Sequence, residues 1–367
     1  MRILFCGRYL TAPIGGAEIA TRVLMRELLD RNHTLAVFTI ANDNYRERNW
    51  PFDGKIKIYE GTFSRWLHKK ILPGELMNLF IELKMQQVLD RVSEEFQPDL
   101  VISQSNLLFP KHPNGKKTIF FVHDHGYGTT LGCSSLVRSL ANKPFLRLRR
   151  NRLKDFSLVI ANSYFMSKIL KKFRINSEVV YPFIDFASYY LQEFNSESRE
   201  YITIIRPTRQ KGAEIFLQIA DRLPKRKFLI VGQLPTDLKK EAESKQNVNL
   251  KTWEKDMREV YKETRLLLVP SLWQEPFGRA PVEAAINGIP SIASNKGGLI
   301  ESVGQGGILI DDTWDIDKWV KAIELMDDNS IYVSYSQNAR KNARKFTLKK
   351  SIDDFSNIVK EKLGILL

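Results

Sequence analysis

Short, almost wholly apolar runs rich in β-branched and aromatic residues recur along this chain, separated by segments whose apolar residues fall every third or fourth position. No other feature constrains the fold as much. RILFCG, TLAVFTI, KIKIYE, DLVISQS, KTIFFVHD, LVIANS and EVVYPFI form a first series, and YITIIRP, KFLIVG, VNLKTW, LLLVPS, SIAS and GILI form a second. Runs that are apolar on both faces suit strands covered on both sides, as in a parallel sheet. Between them, AEIATRVLMRELLDRN places Ile19, Ala20, Val23, Leu24 and Leu28 at helical spacing. Further helices are predicted near Ala213 to Arg222, Asp256 to Thr264, Arg279 to Asn287, Asp315 to Leu325 and Lys350 to Lys362. The fold class is therefore α/β, with two successive doubly wound parallel-sheet domains facing a central cleft.

The chain has 367 residues, beyond the roughly 250 to 300 at which single cores stop growing. The polar stretch FASYYLQEFNSESRE separates the two series. The expected domains are 1–185 and 186–349, with a C-terminal helix within 350–367 packing back on the first. In such sheets ligands sit beyond the carboxyl ends of the strands, so the strand-end loops are where chemistry is expected.

Charge narrows the partners. Fifty-six Lys and Arg against 42 Asp and Glu give a net charge of +14, which suits phosphorylated small molecules, an anionic membrane surface or nucleic acid. The cations are scattered through two ligand-binding folds and no nucleic-acid module is recognisable, so no nucleic acid is expected as partner. Two cysteines, Cys6 and Cys133, provide no disulfide framework, RILFC is too short for a signal-peptide core, and no run is long enough to cross a bilayer. A cytoplasmic location is expected.

The stretch SLWQEPFGRAPVEAAINGIPSIASNKGG, Ser271 to Gly298, carries the sharpest local pattern. LLLVPS is a strand, WQEPFG the loop at its carboxyl end, and RAPVEAAING a helix closed by Gly288 and Pro290; Pro281 is tolerated in the first turn. Glu275 then lies in the loop and Glu283 inside the helix. The amides of Gly278, Arg279 and Ala280 are the unpaired donors of a helix start, suited to an oxygen-rich anionic ligand. On spacing alone, a surface carboxylate and a helix-face glutamate with nothing between them remains the commoner reading.

EPFGRAPVE, with PSLW before it and GIPSIASNKGG after it, resembles the donor-binding signature of retaining glycosyltransferases of family 4, which have the two-Rossmann GT-B architecture. GGAE after the first strand, VHD ending a central strand, ANSYFMSKIL, VVYPFID and IRPTRQKG match in the same order over nearly the whole chain. The resemblance implies transfer of a hexose, glucose-type by preference, from a nucleoside diphosphate sugar, UDP by preference, to a glycan or lipid-linked acceptor in polysaccharide or glycoconjugate synthesis. It implies that Glu283 accepts from the ribose hydroxyls, and that Glu275 meets the sugar hydroxyls with Pro276 and the Phe277, Gly278 and Arg279 backbone alongside. Arg206 and Lys211 hold the diphosphate, Gly15 and Gly16 bring backbone amides to it, and His123 stands by the scissile bond. Ile205 departs from the family's glycine before Arg206, and Arg209 adds a third cation, leaving open which two touch phosphate. Trp253, in Thr252 to Lys255, borders the base.

Asp-x-Asp occurs once, at Asp315 and Asp317 where a helix is expected to start, and HDH at 123–125 is too scant for a metal cage. No cofactor and no metal are expected, the cations and amides taking the metal's place. The run SLVRSLANKPFLRLRRNRLKDF interleaves basic residues from Arg138 to Lys154 with Leu140, Phe145, Leu146, Leu148 and Leu153. It suits either an anionic membrane surface, peripherally bound, or a solvated helix packed on its own sheet. The alternative readings are a nucleotide-sugar epimerase of the same architecture, a donor-binding subunit without catalysis, and a non-enzymatic polyanion-binding protein.

Overall fold

The computed structural model describes residues 1–7, 10–11, 15–40, 50–52, 54–61, 74–104, 116–124, 147–148, 150–192, 199–252, 254 and 256–367, the side chains of 74–82 excepted. Trp253, Lys255, His125, Cys133 and most of the run from Arg138 onward lie outside the described residues. The chain divides into two compact units, Met1–Phe183 with Ser351–Leu367, and Ile184–Lys350.

In the first unit the strands are β1 (Arg2–Cys6), β2 (Thr34–Ile40), β3 (Lys57–Gly61), β4 (Leu100–Gln104), β5 (Lys117–Val122), β6 (Leu158–Ala161) and β7 (Glu178–Val179). They form one sheet in the order β3-β2-β1-β4-β5-β6-β7, and every pairing is parallel. Helices α1 (Gly16–Asp30), α2 (Gly74–Phe96) and α3 (Tyr164–Lys172) belong to the same unit. The last strand is shorter than EVVYPFI suggests. Its ladder ends where the Val180 amide meets the Ala161 carbonyl at 3.0 Å, and Pro182 beyond it has no amide to donate.

The second unit repeats the pattern. Strands β8 (Tyr201–Ile205), β9 (Phe228–Val231), β10 (Val248–Lys251), β11 (Thr264–Val269), β12 (Ser291–Ser294) and β13 (Gly307–Ile310) run parallel in the order β10-β9-β8-β11-β12-β13. Its helices are α4 (Ala213–Arg222), α5 (Thr236–Glu243), α6 (Met257–Glu263), α7 (Arg279–Ile286), α8 (Leu299–Val303), α9 (Ile316–Leu325) and α10 (Asn329–Ala343). The apolar positions read from the sequence form the core: Ile202, Ile204, Phe216, Phe228, Leu266, Leu268, Ile292 and Trp319 are all buried in one cluster. Strand order therefore reverses between β8 and β11, the switch point at which such sheets bind ligands.

The final helix α11 (Leu348–Leu363) sets Phe355 against Phe121 and Phe183 of the first unit, ring centroids 5.5 and 5.9 Å apart. Lys362 reaches Glu178 at 3.0 Å, and Arg31 donates to Ser356 Oγ at 3.1 Å.

Candidate active site

Two loops leave the sheet on either side of the switch point in the second unit, 206–212 after β8 and 270–278 after β11. They touch: the Leu272 amide donates to the Gln210 carbonyl at 2.8 Å, and a Cβ on Gly212 would lie 1.9 Å from the Pro270 carbonyl oxygen. Only glycine fits there, and its φ of 79° is also left-handed. Arg206 opens the first loop with a φ of 52°, a conformation that costs a non-glycine residue on the order of 1–3 kcal/mol and clusters at functional sites. Within the same loop the Lys211 amide caps onto Thr208, at 3.0 Å from its carbonyl and 3.1 Å from its hydroxyl.

This turn brings Lys211 to Glu275. Lys211 Nζ lies 3.6 Å from Glu275 Oε1, and that oxygen also accepts from Ser271 Oγ and Trp273 Nε1, each at 2.8 Å. Glu275 is 6% exposed, deep enough that each donor matters. Arg209 is turned elsewhere: it pairs with Glu214 and Asp237 at the surface. Of the three cations in RPTRQK, the structure sets Lys211 beside Glu275, pairs Arg209 with other carboxylates and puts Arg206 at the start of the same loop.

The backbone of Glu275-Pro276-Phe277 lies flat on the second glycine pair. Gly298 N donates to the Glu275 carbonyl at 2.7 Å, and a Cβ on Gly298 would fall 2.4 Å from the Pro276 oxygen. Gly278, with φ 88°, is the N-cap of α7, which has neither a side-chain cap nor an acidic residue in its first turn. Its first turn thus carries no compensating carboxylate of its own.

Glu283 sits one and a half turns into α7 in a cradle of its own. Arg279 Nε donates to Oε1 at 3.1 Å, Tyr261 hydroxyl to Oε2 at 3.0 Å, and Arg279 Nη2 reaches the Tyr189 hydroxyl at 3.1 Å. Burial, and then the Glu283 charge, push the Tyr189 and Tyr261 phenols above their ordinary range. Each Glu283 oxygen can accept more than one hydrogen bond. Arg279, whose backbone amide is the one expected beside the donor, directs its guanidinium to Glu283 and Tyr189.

The remaining predicted residues lie in the first unit. Gly15 is the N-cap of α1 and Gly16 its first residue. Gly15 has an extended backbone, φ −140°, and a Cβ there would meet the Glu18 carboxylate at 2.6 Å. The space above it is filled by an acid of the helix's own first turn. His123 directly follows β5; its ring stacks on Phe121, centroids 5.8 Å apart, and its carbonyl accepts from Asn162 Nδ2 at 3.2 Å. In the described part of the basic run, Leu153 is buried and Arg150 lies 4.1 Å over the Phe173 ring, while Arg147, Leu148 and Lys154 are exposed. Among the described residues no group of three or more His, Cys, Asp or Glu side chains could hold a metal ion, and no helix is long and apolar enough to cross a membrane.

Sequence reasoning missed Ser271, Trp273, Tyr189, Tyr261, Gly297 and Gly298. Ser271 and Trp273 stand within the PSLW motif itself, so their proximity to Glu275 was the available signal; nothing in the sequence ties Tyr189 or Tyr261 to Glu283.

Comparison with known proteins bears on the family and the fold. The model of Glycosyltransferase Family 4 matches residues 14–188, and that of Glycosyl transferases group 1 matches residues 192–346. The chain belongs to the family 4-like glycosyltransferases of GT-B architecture. An uncharacterized 41.2 kDa protein in the cps region of Klebsiella pneumoniae is 30% identical over 209 residues, 52% of this chain and 56% of that protein. The chain thus spans little more than half of that relative. The Escherichia coli UDP-Gal:alpha-D-GlcNAc-diphosphoundecaprenol alpha-1,3-galactosyltransferase is 29% identical over 146 residues, 37% of each chain. Among solved structures, sucrose-phosphate synthase from Thermosynechococcus elongatus superposes with a TM-score of 0.80 at 17% identity over 99% of both chains. HepE from Anabaena, in complex with UDP and glucose, superposes with a TM-score of 0.74 at 18% identity, over 98% of this chain and 100% of that one.

Proposed function

We propose that this glycosyltransferase moves a hexose from a nucleoside diphosphate sugar, UDP-glucose or a close relative, to a glycan or lipid-linked acceptor with retention at the anomeric carbon and without a bound metal. One observation carries the donor assignment: Lys211, Arg206 and the uncapped start of α7 share one switch point with two buried carboxylates, Glu275 and Glu283, each held by neighbouring donors. Cations and amides suit a diphosphate, and acceptor-only carboxylates suit hydroxyls.

On this reading Glu283 accepts from the ribose, and Glu275 from the sugar. The bond from the anomeric carbon to the phosphate oxygen breaks, and its electron pair passes to that oxygen. Arg206, Lys211 and the α7 amides meet the charge that develops there, each donor contributing about 3–4 kcal/mol of barrier lowering. The acceptor oxygen bonds to the same face of the sugar and its proton passes to the departing phosphate. Retention rests on the family resemblance, UDP and glucose on the HepE complex, and a lipid-linked acceptor on the E. coli relative. The resemblance alone assigns Gly15 and Gly16 to the diphosphate and His123 to the scissile bond, and Trp253, outside the described residues, is read beside the base. Peripheral binding to an anionic leaflet through the Arg138 to Lys154 run, on the cytoplasmic side, accompanies such an acceptor.

Incubating the protein with a panel of labelled nucleotide sugars in EDTA, followed by product stereochemistry, tests this reading. Transfer or slow hydrolysis of a UDP-hexose with retention supports it; rearrangement of the sugar without hydrolysis or transfer would make the protein an epimerase instead.

A further inference from the structure

Among the described residues, every donor that reaches the Glu275 carboxylate ends on the same oxygen. Ser271 Oγ and Trp273 Nε1 each stand 2.8 Å from Oε1 and Lys211 Nζ stands 3.6 Å from it, while Oε2 accepts nothing from the described residues. A carboxylate offers about four acceptor sites over two oxygens. Glu283, by contrast, shares its donors, taking Arg279 on Oε1 and Tyr261 on Oε2. Ser271 is fully buried and the loop is braced from behind by Gly297 and Gly298. Two fixed donors on one oxygen hold the plane of the carboxylate, and its second oxygen then has one direction.

We propose that Ser271 and Trp273 are positioning residues that make Glu275 a one-sided acceptor for a hydroxyl of the transferred sugar, and so set which hydroxyl epimer the enzyme accepts. The role rests on the assignment of Glu275 to the sugar half of the donor. It acts on the sugar and leaves the nucleotide half alone, because the ribose carboxylate has its own, separate donors. An unpinned carboxylate can still bond a hydroxyl, but it pays rotational freedom to do so and meets either epimer with similar geometry.

The test uses Trp273→Phe, which removes the N–H and keeps an aromatic ring, with Ser271→Ala and Ser271→Thr beside it. Hydrolysis of UDP-glucose and UDP-galactose is measured as UDP release without acceptor, together with UDP affinity by calorimetry and the melting temperature. We expect kcat on the preferred donor to fall about tenfold in Trp273→Phe and in Ser271→Ala, the value of one hydrogen bond to a charged group. The ratio between the two donors narrows several-fold, UDP affinity and melting temperature stay near those of the parent, and Ser271→Thr recovers most of the loss. Parental kcat and donor ratio in both Trp273→Phe and Ser271→Ala overturn the proposal, as does a loss confined to UDP affinity or melting temperature. Glu275→Ala separates the two layers: if it too behaves as the parent, the sugar-site assignment fails, whereas if it alone loses activity, only the positioning role fails.

Discussion

Gly297→Ala perturbs the brace behind Glu275 at the backbone of Gln274 and Glu275. A Cβ at this position would lie 2.3 Å from the Glu275 carbonyl oxygen, 2.8 Å from its nitrogen and 3.0 Å from the Gln274 carbonyl carbon. All three are backbone atoms, so no rotamer change relieves the contact. The φ of 62° adds strain of its own, about 1–2 kcal/mol for alanine in the left-handed region. Overpacking against immovable neighbours costs about 1–3 kcal/mol more. The total, about 2–5 kcal/mol, must appear somewhere. If the loop stays in place, the loss is one of stability, and at about 2–4 °C per kcal/mol for a unit of this size the melting temperature falls by roughly 4–20 °C. If the loop yields, Glu275 moves by the better part of an ångström and turnover falls by about 100-fold with little change in melting. Differential scanning calorimetry and UDP-glucose hydrolysis read the two channels separately. A variant with parental melting temperature and turnover would refute the argument that this glycine pair sets the position of Glu275.

Four further outcomes follow from the same geometry. Lys211→Ala lowers turnover by about 100- to 1000-fold while the affinity for nucleotide sugar changes far less, since the charge it meets grows along the reaction; steady-state kinetics beside calorimetry checks this. Arg209→Ala keeps parental kcat, because it is paired with the half-buried Glu214 and the exposed Asp237, whereas Arg206→Ala does not. Tyr261→Phe removes the phenol from Glu283 Oε2 and weakens UDP binding about tenfold by calorimetry. The same phenol makes stability fall at alkaline pH: its proton is held in the folded chain and released near 10.0 in the unfolded one. Its contribution is therefore complete below about pH 10 and lost at about 1.4 kcal/mol per pH unit above it. Denaturant melts from pH 9 to 11 should show that slope reduced in Tyr261→Phe.

The strands were legible because a doubly covered strand has to be apolar at every position, and runs such as KTIFFV and TRLLLV have few other uses. Helices whose exposure is lopsided were not. Asn329–Ala343 buries only Ala339, Asn342 and Ala343, and its start is held by the Asp328 carboxylate accepting from the amides of Ser330 and Ile331. Thr236–Glu243 buries only Leu238 and Ala242, too little apolar surface to give a helical period. Within the site, Glu275, Glu283 and Lys211 could be read from EPFGRAPVE and IRPTRQKG because motif spacing fixes loop and helix positions. Tyr189 and Tyr261 could not, since a phenol that satisfies a buried carboxylate looks in sequence like any core aromatic. Arg209 looked equivalent to Arg206 and Lys211 until the fold brought Asp237 beside it, from beyond the next strand.

Calorimetric titration of UDP into protein freed of divalent ions with EDTA tests the central claim most directly, with Lys211→Ala and Glu283→Ala titrated alongside. The account predicts one-to-one binding to the parent without metal, at least tenfold weaker binding in Glu283→Ala, and only a modest loss in Lys211→Ala. Binding that returned only on adding magnesium or manganese, or that was unchanged in Glu283→Ala, would contradict it.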